Sequence, residues 1–338
     1  MQRQHTEPGY RLDRRSGAPL RYPVVSRIVS FSDLLRCPQR AKRIFAVPPA
    51  LFAPPGHAHL TEFSPAASWN LEPWLVACLL LAAVLYARGA WALWRKAGVG
   101  RGLSLAQGCA FIGGWFTLCA ALVSPIDALG GSLFAAHMVQ HELLMVIAAP
   151  LFVSARPLET WTWGLPASWR GSAGRIGHWP PLLQVWNAMT APVAAWALHA
   201  AALWIWHVPV LFDAALRSES LHVAQHASFL ATALLFWWAV LGRAGHRRPG
   251  LALVLSFTTM LHTGALGALL TFSPSAWYQG YHHTDALGLT ALEDQQLGGL
   301  IMWIPGGVAY LAAGLMLVFR HYLNAVAISE PDAPQRSS

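Results

Sequence analysis

The chain is short of charge. Only 11% of its 338 residues are Asp, Glu, Lys or Arg, against about 25% in an ordinary soluble domain. That scarcity argues against a water-exposed fold. Cysteine is scarce too: Cys37, Cys78, Cys109 and Cys119 form no CxxC pair. A disulfide framework or a zinc–thiolate site is therefore not expected, and the four read as small buried hydrophobes. No phosphate-binding loop and no nucleophile–base–orienter arrangement is present, so no catalytic activity is expected. The formal charge of +8 does not mark a nucleic-acid face. Residues 1–72 hold ten Lys/Arg against five Asp/Glu, and residues 73–338 hold thirteen against ten. No aromatic–basic pattern accompanies either half.

Apolar residues are plentiful, at 55% of the chain. They gather in runs near the roughly 20 residues needed to cross the hydrocarbon. Seven spans read out, at 73–94, 103–123, 133–153, 189–208, 221–242, 251–272 and 296–319. The expected fold is an all-α polytopic membrane protein, a bundle of seven transmembrane helices. Many of the 17 tryptophans lie near segment ends, where an amphipathic ring prefers the headgroup level. Gly113, Gly114, Gly264, Gly267, Gly298 and Gly299 would let helices approach closely. The connection 154–184 carries Trp161, Trp163, Trp169 and Trp179 and is expected along the membrane surface.

Three parts follow from this pattern. Residues 1–72 form a basic, proline-rich arm expected to be disordered, with a signal-like stretch at 44–60 that leaves the true start of the mature chain open. Residues 73–320 form the membrane domain, and 321–338 a short cytoplasmic tail. Basic residues set the orientation. The first connection has Arg95, Lys96 and Arg101, the third Arg156, Arg170 and Arg175, and the fifth Arg243, Arg247 and Arg248. The second and sixth have none, and the fourth only Arg217. The N-terminus is therefore expected outside and the C-terminus in the cytoplasm.

On that topology the histidines sort by leaflet. His137 and His141 lie near the outer end of the third span, His207 at the outer end of the fourth, and His222 and His226 near the outer end of the fifth. His282, His283, Asp285, Glu293 and Asp294 fall in or beside the outer sixth connection. His199 lies about 12 Å below His207, from a rise of about 1.5 Å per residue, and His262 lies near the midplane. Residues four apart share a helix face. His137, His141 and Met145 thus make one stripe, and His222 and His226 a second pair. Imidazole with thioether suits copper, although Met145 alone reads more readily as core packing. Glu142 lies about 100° around its helix from His141, placed to orient a histidine on a neighbouring helix. His262 is costly at mid-bilayer unless it serves a function or is hydrogen-bonded to a neighbour, and it joins His137, His141, His207, His222 and His226 as a sixth expected metal ligand. The run Glu293, Asp294, Gln295, Gln296 reads either as support for the metal site or as a helix N-terminal cap.

The stretches HMVQHELLMVIAAPL, WIWHVPVLFDAAL, LHVAQHASFLATALLFWW and LEDQQLGGLIMWIPGG, in that order, resemble the multi-pass CtaG-like cytochrome c oxidase assembly factors of bacteria. The similarity covers about residues 70–320. It implies a seven-helix protein of the bacterial inner membrane needed to make active haem-copper oxidase. It further implies delivery of copper, as Cu(I), to an oxidase subunit, with a periplasmic copper carrier as a second partner and the site facing the extracytoplasmic side. The motif residues are His137, His141, His207, His222 and His226, with Glu293, Asp294 and Gln295 in the last motif. A haem-binding redox protein, a membrane di-iron oxidase and a copper or proton transporter are the alternatives. The last is disfavoured because the inner half reads as dry apart from Gln107.

Overall fold

The computed structural model describes residues 68–329 except 243, 244, 246, 282, 283 and 285–287. The arm before residue 68, with its signal-like stretch and Cys37, lies outside the described residues, as do His282, His283, Asp285 and the tail from 330. Among the described residues the elements are all helical.

The first two spans are α1 (Pro73–Ala97) and α2 (Leu105–Leu122). Ser104 caps α2 by a reciprocal pair: its hydroxyl accepts from the Gln107 N–H, and the Gln107 side chain accepts from the Ser104 N–H. So Gln107, the one polar residue read in the inner half, is a cap. A short α3 (Pro125–Gly130) leads to the third span.

That span is not one regular helix. It divides into α4 (Phe134–Glu142), a π-helical turn (Leu143–Ala148) and α5 (Ala149–Ala155). The Ala149 N–H bonds the Leu144 carbonyl, five residues back. The next carbonyl, of Met145, would face Pro150, which has no N–H. The Trp237 indole takes its place, donating to Met145 O at 2.8 Å. Met145 therefore belongs to the apolar core with Phe229, Phe236 and Trp237. The wide turn ends the histidine stripe after His141.

After α5 the chain reverses at Arg156, whose φ of 50° is left-handed. The helix that follows, α6 (Pro157–Gly164), folds back against α1 instead of leaving the bundle. Trp161 donates to the Ala82 carbonyl at 2.9 Å. A Cβ on Gly89 or Gly164 would collide with the backbone of the other helix. Two further helices, α7 (Ala167–Gly177) and α8 (Pro180–Met189), bury no side chain.

The fourth span is shorter than its sequence suggests. The straight helix α9 covers only Pro192–Trp206, 15 residues, or about 22 Å. It meets α8 at a 68° bend, because Ala191 before Pro192 is extended. Among the described residues six helices are long and apolar enough to cross a membrane, or seven if this bent pair is one span. Beyond it come α10 (Pro209–Arg217), α11 (Glu219–Leu241), α12 (Pro249–Thr271) and α13 (Ala291–Ser329). The last helix runs past residue 320, where sequence placed the start of a tail.

Helices α12 and α13 meet backbone to backbone. A Cβ on Gly267 would lie 2.8 Å from the Gly299 carbonyl, and one on Gly299 would lie 2.7 Å from the Gly267 carbonyl. Small residues permit this approach, and dispersion rewards it where lipid is as apolar as the side chains. The outward faces carry Leu80, Val84, Ile112, Phe116, Val254, Phe257, Leu311 and Leu315, the lipid-facing surface of a membrane bundle. Cys78 and Cys109 are also exposed and Cys119 is half-buried, which corrects the expectation of buried cysteines. Both faces of a membrane helix are apolar, so nothing forces a small hydrophobe inward.

Candidate functional site: a buried histidine cluster

The N-terminus of α4 has no capping side chain of its own. Its first amides are satisfied from α13. Asp294 accepts from the Phe134 N–H at 2.7 Å and from the Ala135 N–H at 3.0 Å. A fully buried carboxylate thus answers orphan donors and the positive end of the helix dipole together. Gln295 accepts from the Trp277 N–H at 2.6 Å, which pins the segment that brings Tyr278 and Tyr281 over the site. Glu293 accepts from the backbone N–H and hydroxyl of Thr290, both at 2.8 Å. It caps its own helix, so its described hydrogen bonds are with Thr290 and not with a histidine.

His137 and His141 on α4 face His222 and His226 on α11. His137, His222 and His226 each offer a nitrogen within 4.8 Å of the other two. The nearest pair, His222 Nε2 and His226 Nε2, is 3.2 Å apart. The ring centres are 4.2 Å apart for His222–His226, 5.2 Å for His137–His222 and 5.3 Å for His137–His226. A point equidistant from all three lies about 3 Å from each centre, the separation that a metal–nitrogen bond of about 2.0 Å demands.

The hydrogen-bond pattern fixes which nitrogen of His137 is bare. Tyr281 Oη donates its one proton to the Gly130 carbonyl at 3.2 Å, so toward His137 Nδ1, also at 3.2 Å, it can only accept. This arrangement favours the proton on Nδ1. Nε2 is buried with no close hydrogen-bond partner among the described residues, as suits a metal-binding imidazole held by an outer hydrogen bond. Burial raises the Tyr281 and Tyr278 phenols well above their usual value, so both stay neutral donors.

His141 is 1% exposed, with ring centres 4.3 Å from His137 and 5.1 Å from His226. Neither of its nitrogens has a partner. His207, 3% exposed, places its Nδ1 at 2.7 Å from the Leu203 carbonyl, which leaves a bare, buried Nε2. Five of the six expected histidines thus gather. His262 stays outside. It sits nine residues before the C-terminal end of α12, about 14 Å along the helix, with its ring centre 6.0 Å from Trp196.

Glu142 does not orient a histidine by any described hydrogen bond. Its carboxylate lies against Gly306 of α13, where a Cβ would come within 3.0 Å of Oε2. The direction is the one its 100° offset from His141 requires. The cluster is not the one buried polar spot: His199, at the middle of α9, is buried 3.2 Å from Thr232 Oγ1 and 3.2 Å from Tyr310 Oη.

Sequence reasoning missed several residues. Gln225 is fully buried, its side chain reaching toward His137. Gln140 bridges the Ala121 carbonyl and Asp127, both at 2.7 Å. Tyr278 donates to the His207 carbonyl at 3.1 Å. Gln140 and Gln225 lie inside the histidine motifs, and their polarity in an apolar run was the available signal. Tyr278 and Tyr281 lie in an irregular connection with no periodicity to reveal them.

Membrane-spanning helices enclosing a buried histidine cluster define a polytopic membrane protein with an internal polar centre. The chain belongs to the cytochrome c oxidase caa3 assembly factor family (Caa3_CtaG), which matches residues 84–323. Uncharacterized proteins of Mycobacterium bovis and Mycobacterium tuberculosis are each 30% identical over 251 residues, covering 70% of this chain and 36% of the relative. One from Mycobacterium leprae is 28% identical over 232 residues, covering 64% of this chain and 35% of the relative. The chain thus spans about a third of the length of the curated relatives it matches. No solved structure matches it significantly.

Proposed function

We propose that this protein assists assembly of a haem-copper oxidase by holding a copper ion at His137, His222 and His226 and passing it to an oxidase subunit. The carrying observation is three imidazoles from two helices, spaced about a common point, with the bare nitrogen of His137 fixed by Tyr281. Copper here is cargo, and the role is not catalytic. The basic connections support a site on the extracytoplasmic side of the bacterial inner membrane, where a periplasmic copper carrier would supply it. Imidazole without thiolate suits copper among the metals that such a compartment offers.

A b-haem fits less well. Two axial histidines must stand about 6 Å apart between ring centres with a porphyrin between them; His137, His222 and His226 are 4.2–5.3 Å apart, and of the cluster only His141 and His207 reach 6.0 Å. A Soret band on the purified protein would restore the haem reading. The copper reading is tested by titrating the purified full chain with Cu(I) beside His137→Ala and His222→Ala. Each variant is expected to lose at least tenfold in affinity. Wild-type binding in both would remove these residues from the site.

A further inference from the structure

Resting on the copper reading, we infer that the cluster holds two ion positions and not one: an accessible position at His137, His222 and His226, and a closed, two-coordinate position between His141 and His207. The ring centres of His141 and His207 are 6.0 Å apart. An ion bound to nitrogen at about 2.0 Å sits roughly 3 Å from its ring centre, so this gap takes one ion with a histidine on either side. Both rings are buried, His207 is held through Nδ1 with Nε2 bare, and neither nitrogen of His141 has a partner. All five histidines would otherwise crowd one ion, yet among the described residues it is His137, His222 and His226 that offer nitrogens all within 4.8 Å of one another.

The surroundings select the ion. Phe229 lies 4.6 Å from His141 and 5.9 Å from His207, and Phe212 lies 6.1 Å from His207, between ring centres. A dication without a facing carboxylate is costly in such apolar company. A monovalent, soft ion that accepts two ligands, such as Cu(I) or Ag(I), suits it. Aromatic faces add a modest attraction for a cation.

Access separates the two positions. A cleft of about 610 Å³ opens beside α1, α3 and α11, and His222 and His226 line it. Glu72, Asp127 and Glu219 also line it, with no Lys or Arg among its described lining residues, a lining that attracts cations. His141 and His207 do not line it. An ion thus reaches the closed position through the open one. His141 borders both, 5.1 Å from His226 on one side and 6.0 Å from His207 on the other.

The test is Cu(I) uptake by the purified full chain from a chromophoric chelator, with X-ray absorption on the loaded protein. Wild type is expected to take up two equivalents, and His207→Gln and His141→Gln one each. The equivalent kept by His207→Gln should show three nitrogen ligands, and the wild-type average should fall below three. One equivalent in both wild type and His207→Gln would overturn the second position and leave the first intact. Loss of both equivalents in both variants would show a single shared site and overturn the proposal. No uptake by wild type would overturn the copper reading itself.

Discussion

At the scale of the residue, the site is defined by what holds its histidines. Tyr281 is the clearest case, because one hydroxyl proton decides the tautomer of His137. Tyr281→Phe keeps the ring and its stacking but frees Nδ1. Copper affinity is expected to fall roughly 10–100-fold, the usual cost of losing such an outer hydrogen bond, with little change in melting temperature. An unchanged dissociation constant by competition titration would remove Tyr281 from this role. Asp294 acts differently, since it supports a helix. Asp294→Ala leaves two buried amides unanswered and is expected to cost about 1–3 kcal/mol. Thermal unfolding in detergent should show this before any metal is added.

At the scale of the element, the π-helical turn sets the aim of α4. It exists because Pro150 withholds an N–H and Trp237 supplies one from α11. Pro150→Ala offers the Val146 carbonyl a normal helical donor and allows the turn to tighten. His137 and His141 should then rotate relative to α11, and copper affinity should fall while the protein stays folded. Hydrogen exchange over residues 143–150 should slow in the same variant. Retained affinity would show that the turn does not position the rings.

Some elements were legible in the sequence and others were not. The histidine pairs were readable because four-residue spacing selects one helix face whatever the neighbours do. The spans were readable from length and apolarity. The shortness of α9 was not, because hydropathy ran on smoothly through the bend at Pro192. The π turn was not, because it depends on an indole 92 residues away. The role of Asp294 was half readable. A helix-start cap was expected, but the helix it caps is α4 and not its own.

At the scale of the whole molecule, the bundle closes where α12 meets α13. Gly267→Leu would push a side chain into the Gly299 backbone. A lowered melting temperature and loss of copper binding are expected together, because α13 also carries Asp294. Gly113→Ala, whose Cβ would meet Leu151 at an ordinary 3.5 Å, should be nearly neutral. Orientation is tested in a background without other cysteines. Leu129→Cys should react with a membrane-impermeant maleimide added outside intact cells, and Val99→Cys should not. The reverse pattern would place the histidines at the cytoplasmic face.

The link between Asp294 and the start of α4 spans 160 positions of chain. A ribosome finishes the third span long before it makes the last one. Until that final helix inserts and lends its carboxylate, the helix bearing His137 and His141 has bare amides at its head. A half-made chain therefore lacks the carboxylate that holds the head of this helix, and the five histidines meet in their finished arrangement only once that later helix is in place.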